Sequence, residues 1–194
     1  MKKSKTVLSE YFSEYTLSEE TLHDLQECLL GMFLDIKELC DENNIQYMMS
    51  GGSCLGAVRH KGFIPWDDDI DIMMTRDEYI KFRKAFTEKH FSDYILADPI
   101  NTDGYYFKMP KIYNKKTRLV TVREEGYRKF AMVSIDIFLI ENAPNSNFER
   151  KLRAKLYNFA FHAASVCLDY KYKSKPIEEK CLENEEVKQY FQFR

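Results

Sequence analysis

Residues 47–74, YMMSGGSCLGAVRHKGFIPWDDDIDIMM, constrain this chain more than any other stretch. The segment opens on a short apolar run and passes through Gly51-Gly52-Ser53. It closes with Asp67, Asp68, Asp69 and Asp71 at the edge of a second apolar run. Ile70, Ile72, Met73 and Met74 predict a buried strand around the last two aspartates. Residues i and i+2 of a strand point to one side and lie roughly 7 Å apart, so Asp69 and Asp71 are expected to project together. Two carboxylates so placed repel and lose hydration, and they need a cation or hydrogen-bond donors. Magnesium suits them, because it prefers hard oxygen ligands, keeps several waters and uses one or two carboxylates plus substrate phosphates.

The glycines add a second element. Residues 46–50 read as a strand and 53–59 as a short helix. A strand, Gly-Gly and a helix start let backbone N–H groups approach an anion closely. Arg59, His60 and Lys61 follow and are expected to bring positive charge near the same place. A phosphate cradle beside a metal site points to phosphoryl or nucleotidyl transfer from a metal-bound nucleotide. The P-loop lysine pattern is absent, which excludes a Walker-type ATPase, and the EF-hand calcium spacing is missing too. Taken singly, Gly-Gly-Ser is more often a plain turn, an Asp run a solvated loop and His60 a surface residue. The specificity lies in the combination.

The rest of the chain reads as scaffold. With 194 residues, 44% of them apolar, it fits one globular domain with a sizeable core. A net charge of −2 gives no basic surface for nucleic acid. Cys28, Cys40, Cys54, Cys167 and Cys181 are scattered without Cys-x-x-Cys spacing, which argues against a zinc site or a disulfide framework and for a reducing cytoplasm. Met1-Lys2-Lys3-Ser4-Lys5 is not followed by an apolar core, so no signal peptide is expected, and no run of about 18 apolar residues suggests a membrane span.

Residues 1–15 read as a loose arm. Thr16 and Glu19 have capping-box spacing for a long helix that carries Leu22, Leu25, Leu29, Met32, Phe33, Ile36, Leu39 and Cys40 and ends near Asn43-Asn44. Thr75 and Glu78 start a second helix, to about His90, with Tyr79, Phe82 and Phe86 buried. A strand is expected at 95–97, a loop at 98–104, and a hairpin of 105–113 with 118–122 turning at Asn114-Lys115-Lys116. Lys108 and Lys111, three apart, should face opposite sides of the first hairpin strand, so at most one reaches the site. Residues 131–140 are the most apolar strand of the second half, and Asp136 interrupts it. A buried carboxylate is costly without a metal or a partner. Asn147 should cap a helix to about Asp169 with Leu152, Leu156, Phe159, Ala160, Ala163 and Val166 on one face. Residues 176–194 read as a short charged helix.

The run from Gly56 to Asp69, GAVRHKGFIPWDDD, with the preceding Gly-Gly-Ser and the following Asp-Ile-Asp, resembles the signature of the LicD family, the phosphocholine transferases of bacterial surface-glycan decoration. That family is related to fukutin-type proteins and sits in the nucleotidyltransferase superfamily typified by DNA polymerase beta. The resemblance is nearly continuous from about Leu22 to about Phe138. It implies an α+β fold of the polymerase beta type, a mixed sheet flanked by helices, over residues 16–172, with 173–194 as a charged C-terminal segment. The superfamily's third carboxylate falls on Asp136, so the resemblance implies that Asp69, Asp71 and Asp136 are catalytic and hold Mg²⁺, with Mn²⁺ as a substitute. Gly51, Gly52, Ser53, Arg59 and Lys61 would bind phosphate, and Lys111 would contact the donor phosphate. Trp66 would stack on a base or a quaternary ammonium, or else pack as a core aromatic beside Pro65. Asp67 and Asp68 are secondary candidates.

The implied reaction moves a phospho-alcohol, phosphocholine from CDP-choline, to a sugar hydroxyl of a surface glycan or its lipid-linked precursor. CDP-ribitol or CDP-glycerol as donor, or a non-catalytic nucleotide-binding subunit on the same fold, are the alternatives. Leu139 stands where family members often have proline. Relatives commonly extend further, so the C-terminus is expected to be truncated, naturally short or completed by another chain. The expected location is the cytoplasm, with the inner face of the membrane compatible with lipid-linked acceptors.

Overall fold

A computed structural model describes residues 17–105, 107–119 and 128–172 of the chain, with side chains to residue 163. Helix α1 (Glu19–Glu42) is capped by Ser18, whose Oγ accepts from the Thr21 N–H at 3.1 Å. Glu19 and Glu20 in the first turn complement the helix dipole. The cap is therefore Ser18, and the expected Thr16 lies outside the described residues. Leu25, Leu29, Met32, Ile36, Leu39 and Cys40 form the buried stripe, as their spacing predicts. The helix stops at Asn43, whose Nδ2 donates to the Leu39 carbonyl at 2.9 Å.

The chain continues through β1 (Met48–Met49), α2 (Gly51–Arg59), β2 (Ile70–Thr75), α3 (Arg76–Lys89), β3 (Tyr94–Ala97), β4 (Lys111–Asn114), β5 (Ser134–Ile140) and α4 (Asn147–Tyr172). The strands form one mixed sheet in the order β1-β2-β5-β4-β3. β2 and β5 are parallel, and the other neighbours are antiparallel. Thr75 caps α3 by accepting from the Glu78 N–H, and Tyr79, Phe82, Ala85 and Phe86 face inward. The helix ends at His90 in a left-handed turn.

Alternation gives the sheet two unlike faces. Ile70, Ile72 and Met74 of β2, Ile112 of β4, and Ile135 and Ile137 of β5 are buried with the stripes of α1 and α3 in one cluster. Asp71, Lys111 and Asp136 occupy the opposite parity. Register aligns them in one row, Asp71 beside Asp136 and Asp136 beside Lys111. Next to this row Ala97, Tyr105, Tyr113 and Phe130 form a smaller second cluster.

Two expectations are corrected. The hairpin of 105–113 with 118–122 does not form as read. β4 begins only at Lys111 and pairs with β3 and β5, while residues 107–110, 118 and 119 are not strand and 120–122 lie outside the described residues. Those partners bury Ile112 and Tyr113, a gain that the local turn residues could not offer. The apolar stripe of α4 is also not core. Its described side chains are all exposed, with Phe148 and Phe159 each at 75%. The helix meets the body through Phe161, over whose ring the Lys108 ammonium sits 3.2 Å from the centroid. Helical geometry puts Phe161 roughly opposite Leu152, Leu156 and Phe159, so the stripe turns outward.

Gly56 lets the loop after α2 fold back. A Cβ there would sit 2.6 Å from the Gly62 carbonyl oxygen and 3.1 Å from the Ile64 nitrogen. Gly56→Ala should therefore destabilise the chain by about 1–3 kcal/mol, although alanine raises helix propensity by about 1 kcal/mol. A lowered denaturant midpoint checks this, and an unchanged or raised midpoint contradicts it.

Candidate active site

The acidic row is completed from the side by the first turn of α2. That helix begins at Gly51 itself, two residues earlier than the sequence spacing suggests, so both glycines are helical. Two hydrogen bonds tie its start to β2 on either side of Asp71. The Ser50 N–H donates to the Asp71 carbonyl at 2.9 Å, and the Asp71 N–H donates to Ser53 Oγ at 2.8 Å. Ser53 is thus nearly buried and serves as a clamp, with its own hydroxyl proton not used by that bond. Gly51 has a φ of 50°, and a Cβ there would stand 3.1 Å from Asp71 Oδ2. The left-handed backbone and the close carboxylate both favour glycine. At Gly52 a Cβ would lie 2.5 Å from Asp67 Oδ2. Each glycine therefore has a carboxylate against it.

The loop carrying Asp67 is held by α1. Gln26 Nε2 donates to the Asp67 carbonyl at 2.8 Å, and the Asp67 N–H donates to the Ile64 carbonyl at 2.9 Å. Sequence reasoning missed Gln26. Its only signal is a half-buried amide beside the apolar stripe of α1, and its partner is 41 residues away.

Crowding sets the electrostatics. Burial, then the neighbouring Asp69, Asp136 and Asp67 charges, pushes Asp71 up to about 6. Burial and the Asp67 and Asp68 charges raise Asp69 as well, and burial with Asp68 raises Asp67. Burial raises Asp136, opposed by Lys111. Lys111 Nζ lies 2.9 Å from Asp136 Oδ1, and both side chains are largely shielded, at 13% and 21% exposure. The Phe107 ring centroid is 4.3 Å from the same nitrogen. Buried Tyr105 donates its hydroxyl proton to the Met109 carbonyl at 2.7 Å and is near enough to Asp136 to be raised partly by its charge, after burial.

The structure therefore gathers Gly51, Gly52, Ser53, Asp67, Asp69, Asp71, Asp136 and Lys111. It does not bring Arg59 and Lys61 to the glycines. They stand exposed at and just beyond the other end of α2, about 12 Å along the helix axis from Gly51, and Arg59 Nε donates to His60 Nδ1 at 3.3 Å. Trp66 is 73% exposed, which removes its reading as a core aromatic. Lys108 turns to Phe161 while Lys111 turns to Asp136, so only one of the two lysines reaches the row. Among the described residues no group of three His, Cys, Asp or Glu side chains is assembled as a metal site. With Asp136 on Lys111, Asp69 and Asp71 remain as a carboxylate pair. That pair fits a hard divalent ion that takes its other ligands from water and substrate phosphate.

A mixed sheet with a row of acids beside a glycine-started helix defines a class of protein, and its membership is direct. The chain belongs to the LicD/FKTN/FKRP family, matching its nucleotidyltransferase domain over residues 44–166. It is 37% identical over 128 residues to the lipopolysaccharide cholinephosphotransferase LicD of Haemophilus influenzae, covering 64% of this chain and 46% of that one. It is 31% identical over 143 residues to an uncharacterized protein of Rickettsia typhi, covering 70% and 43%. The chain spans less than half the length of these curated relatives. Among the described residues no helix is long and apolar enough to cross a membrane.

A pH dependence follows from Asp71. Its folded pKa lies above its unfolded value, so the folded state holds the extra proton between about pH 4 and 6. Stability from this group falls as pH rises through that window and is level above it. In a buffer with chelator, Asp71→Asn should melt above the parent chain at pH 8, by about 1–2 kcal/mol after allowance for partial exposure. The two should coincide near pH 4. A variant that melts lower at pH 8 contradicts this.

Proposed function

We propose that this chain transfers phosphocholine from CDP-choline to a sugar hydroxyl of a cell-surface glycan or its lipid-linked precursor, on a nucleotidyltransferase fold of the DNA polymerase beta type. The observation that carries this reading is the in-register row Asp71–Asp136–Lys111 beside Gly51. The family membership and the similarity to the lipopolysaccharide cholinephosphotransferase of Haemophilus influenzae support it.

In this reading Asp69 and Asp71 would hold Mg²⁺, or Mn²⁺ in its place, which would neutralise charge developing on the leaving nucleotide. The first turn of α2 offers the N–H groups of Gly51 and Gly52 to phosphate. Lys111 keeps one N–H on Asp136 and turns the others to the donor. Asp136, raised by burial, accepts the proton of the attacking hydroxyl. The sugar oxygen bonds to the choline-bearing phosphorus, the bond to the CMP oxygen breaks, and CMP departs. Exposed Trp66 is free to stack on the base or lie against the quaternary ammonium.

The test is CMP release from CDP-choline, CDP-ribitol and CDP-glycerol in parallel, with Mg²⁺ and lipopolysaccharide as acceptor. Release from CDP-choline should be lost in EDTA and fall at least about 100-fold in Asp71→Ala. Release from a different donor would reassign the alcohol. Nucleotide binding without release from any donor would make the chain a binding subunit. A folded chain that shows no nucleotide binding and no release would overturn the reading.

A further inference from the structure

We propose that Lys111 is the resident second cation of this site, so that the chain takes one divalent ion, on Asp69 and Asp71, and none on Asp136. The inference rests on the divalent-ion reading of the aspartate pair and sharpens it.

Its ground is the fixed position of the lysine. Lys111 and Asp136 are direct cross-strand partners in the β4–β5 ladder, so the backbone sets their separation. The ammonium lies 2.9 Å from Oδ1, with both side chains shielded from water. The Phe107 ring gives the same ammonium a second seat. In the register of β5 with β2, Asp136 stands beside Asp71 on its other flank. The carboxylate row is therefore bounded on the β4 side by a cation that the sheet itself holds. A divalent ion on Asp136 would have to lie about 2.1 Å from a carboxylate oxygen. On Oδ1 that puts it against the ammonium, where two like charges repel strongly in a shielded setting. In the strand order β5 separates β2 from β4, so Asp71, with Asp69 two residues before it, lies across Asp136 from the ammonium. Lys111 acts on the chemistry through Asp136 and is a positioning residue in this role.

The experiment is Mn²⁺ titration of the whole chain, followed by electron paramagnetic resonance of the free ion and by calorimetry, with thermal melting as a check on folding. The parent chain should bind one Mn²⁺. Lys111→Met should bind two, or bind one at least tenfold more tightly, and Lys111→Arg should behave as the parent. Asp136→Asn should keep the single ion within about threefold of the parent affinity, while Asp71→Asn should lose it. The Asp136→Asn arm stands alone if Lys111→Met does not fold. Two ions on the parent chain, or a parent-like Lys111→Met, or loss of the ion in Asp136→Asn, would overturn the role of Lys111 and leave the aspartate pair as a metal site. A parent chain that binds no Mn²⁺ would overturn the divalent-ion reading itself and the inference with it.

Discussion

The structure depends on strand alternation held in register across three strands. One parity of β2, β5 and β4 is aliphatic and sealed by α1 and α3. The other parity carries Asp71, Asp136 and Lys111 side by side. A slip of one residue in any of the three would exchange a buried isoleucine for a charge. The cost of burying an unpaired charge is far above that of losing one aliphatic contact, so the hydrophobic core enforces the register of the polar row. The apolar face is thus the reason the acids meet.

Meeting has its own cost, and the surrounding groups show how it is met. One main-chain hydrogen bond, one to the Ser53 hydroxyl and two glycines let α2 press its first turn against Asp71 and Asp67. Lys111 offsets part of the repulsion in the row. Burial, and then the repulsion that Lys111 leaves, raise Asp69 and Asp71. Residual strain of this kind is characteristic of places where a ligand is meant to supply the missing charge. Among the groups around the row, Gln26 has the least conspicuous part: one amide from α1 anchors the loop on which Asp67 stands.

What the bare sequence revealed was what is local. Asp69 and Asp71 are two apart, and the capping signals at Ser18 and Thr75 act within one turn, so the acid pair and the helices could be read directly, with the first cap placed two residues early. Asp136 stood out because a charge broke an apolar run, yet its neighbour across the sheet could not be read from spacing. The hairpin reading of 105–122 failed for the same reason. Asn114-Lys115-Lys116 does form a turn, with the Lys116 N–H donating to Asn114 Oδ1 at 3.0 Å, but the strand before it found partners in β3 and β5. On α4 the pattern showed the apolar stripe but not its direction, because a helical period says nothing about which side a single aromatic, Phe161, will anchor. The basic run at 59–61 looked close to the glycines in the chain, and the rise of α2 carried it to the other end.

The parallel pairing of β2 with β5 joins positions 71 and 136, which are 65 residues apart. The hydrogen bonds within α1, α2 and α3 join residues four apart, whereas this ladder must close a long loop before it gains anything. A chain emerging from the ribosome displays its glycines and first aspartates well before the strand that bears Asp136 has been made. Through that interval the acids of the 67–71 segment lack Asp136 beside them and the burial that the finished sheet imposes. The most distant strand pairing is also the one that assembles the row, so completion of the sheet and completion of the site are a single late event.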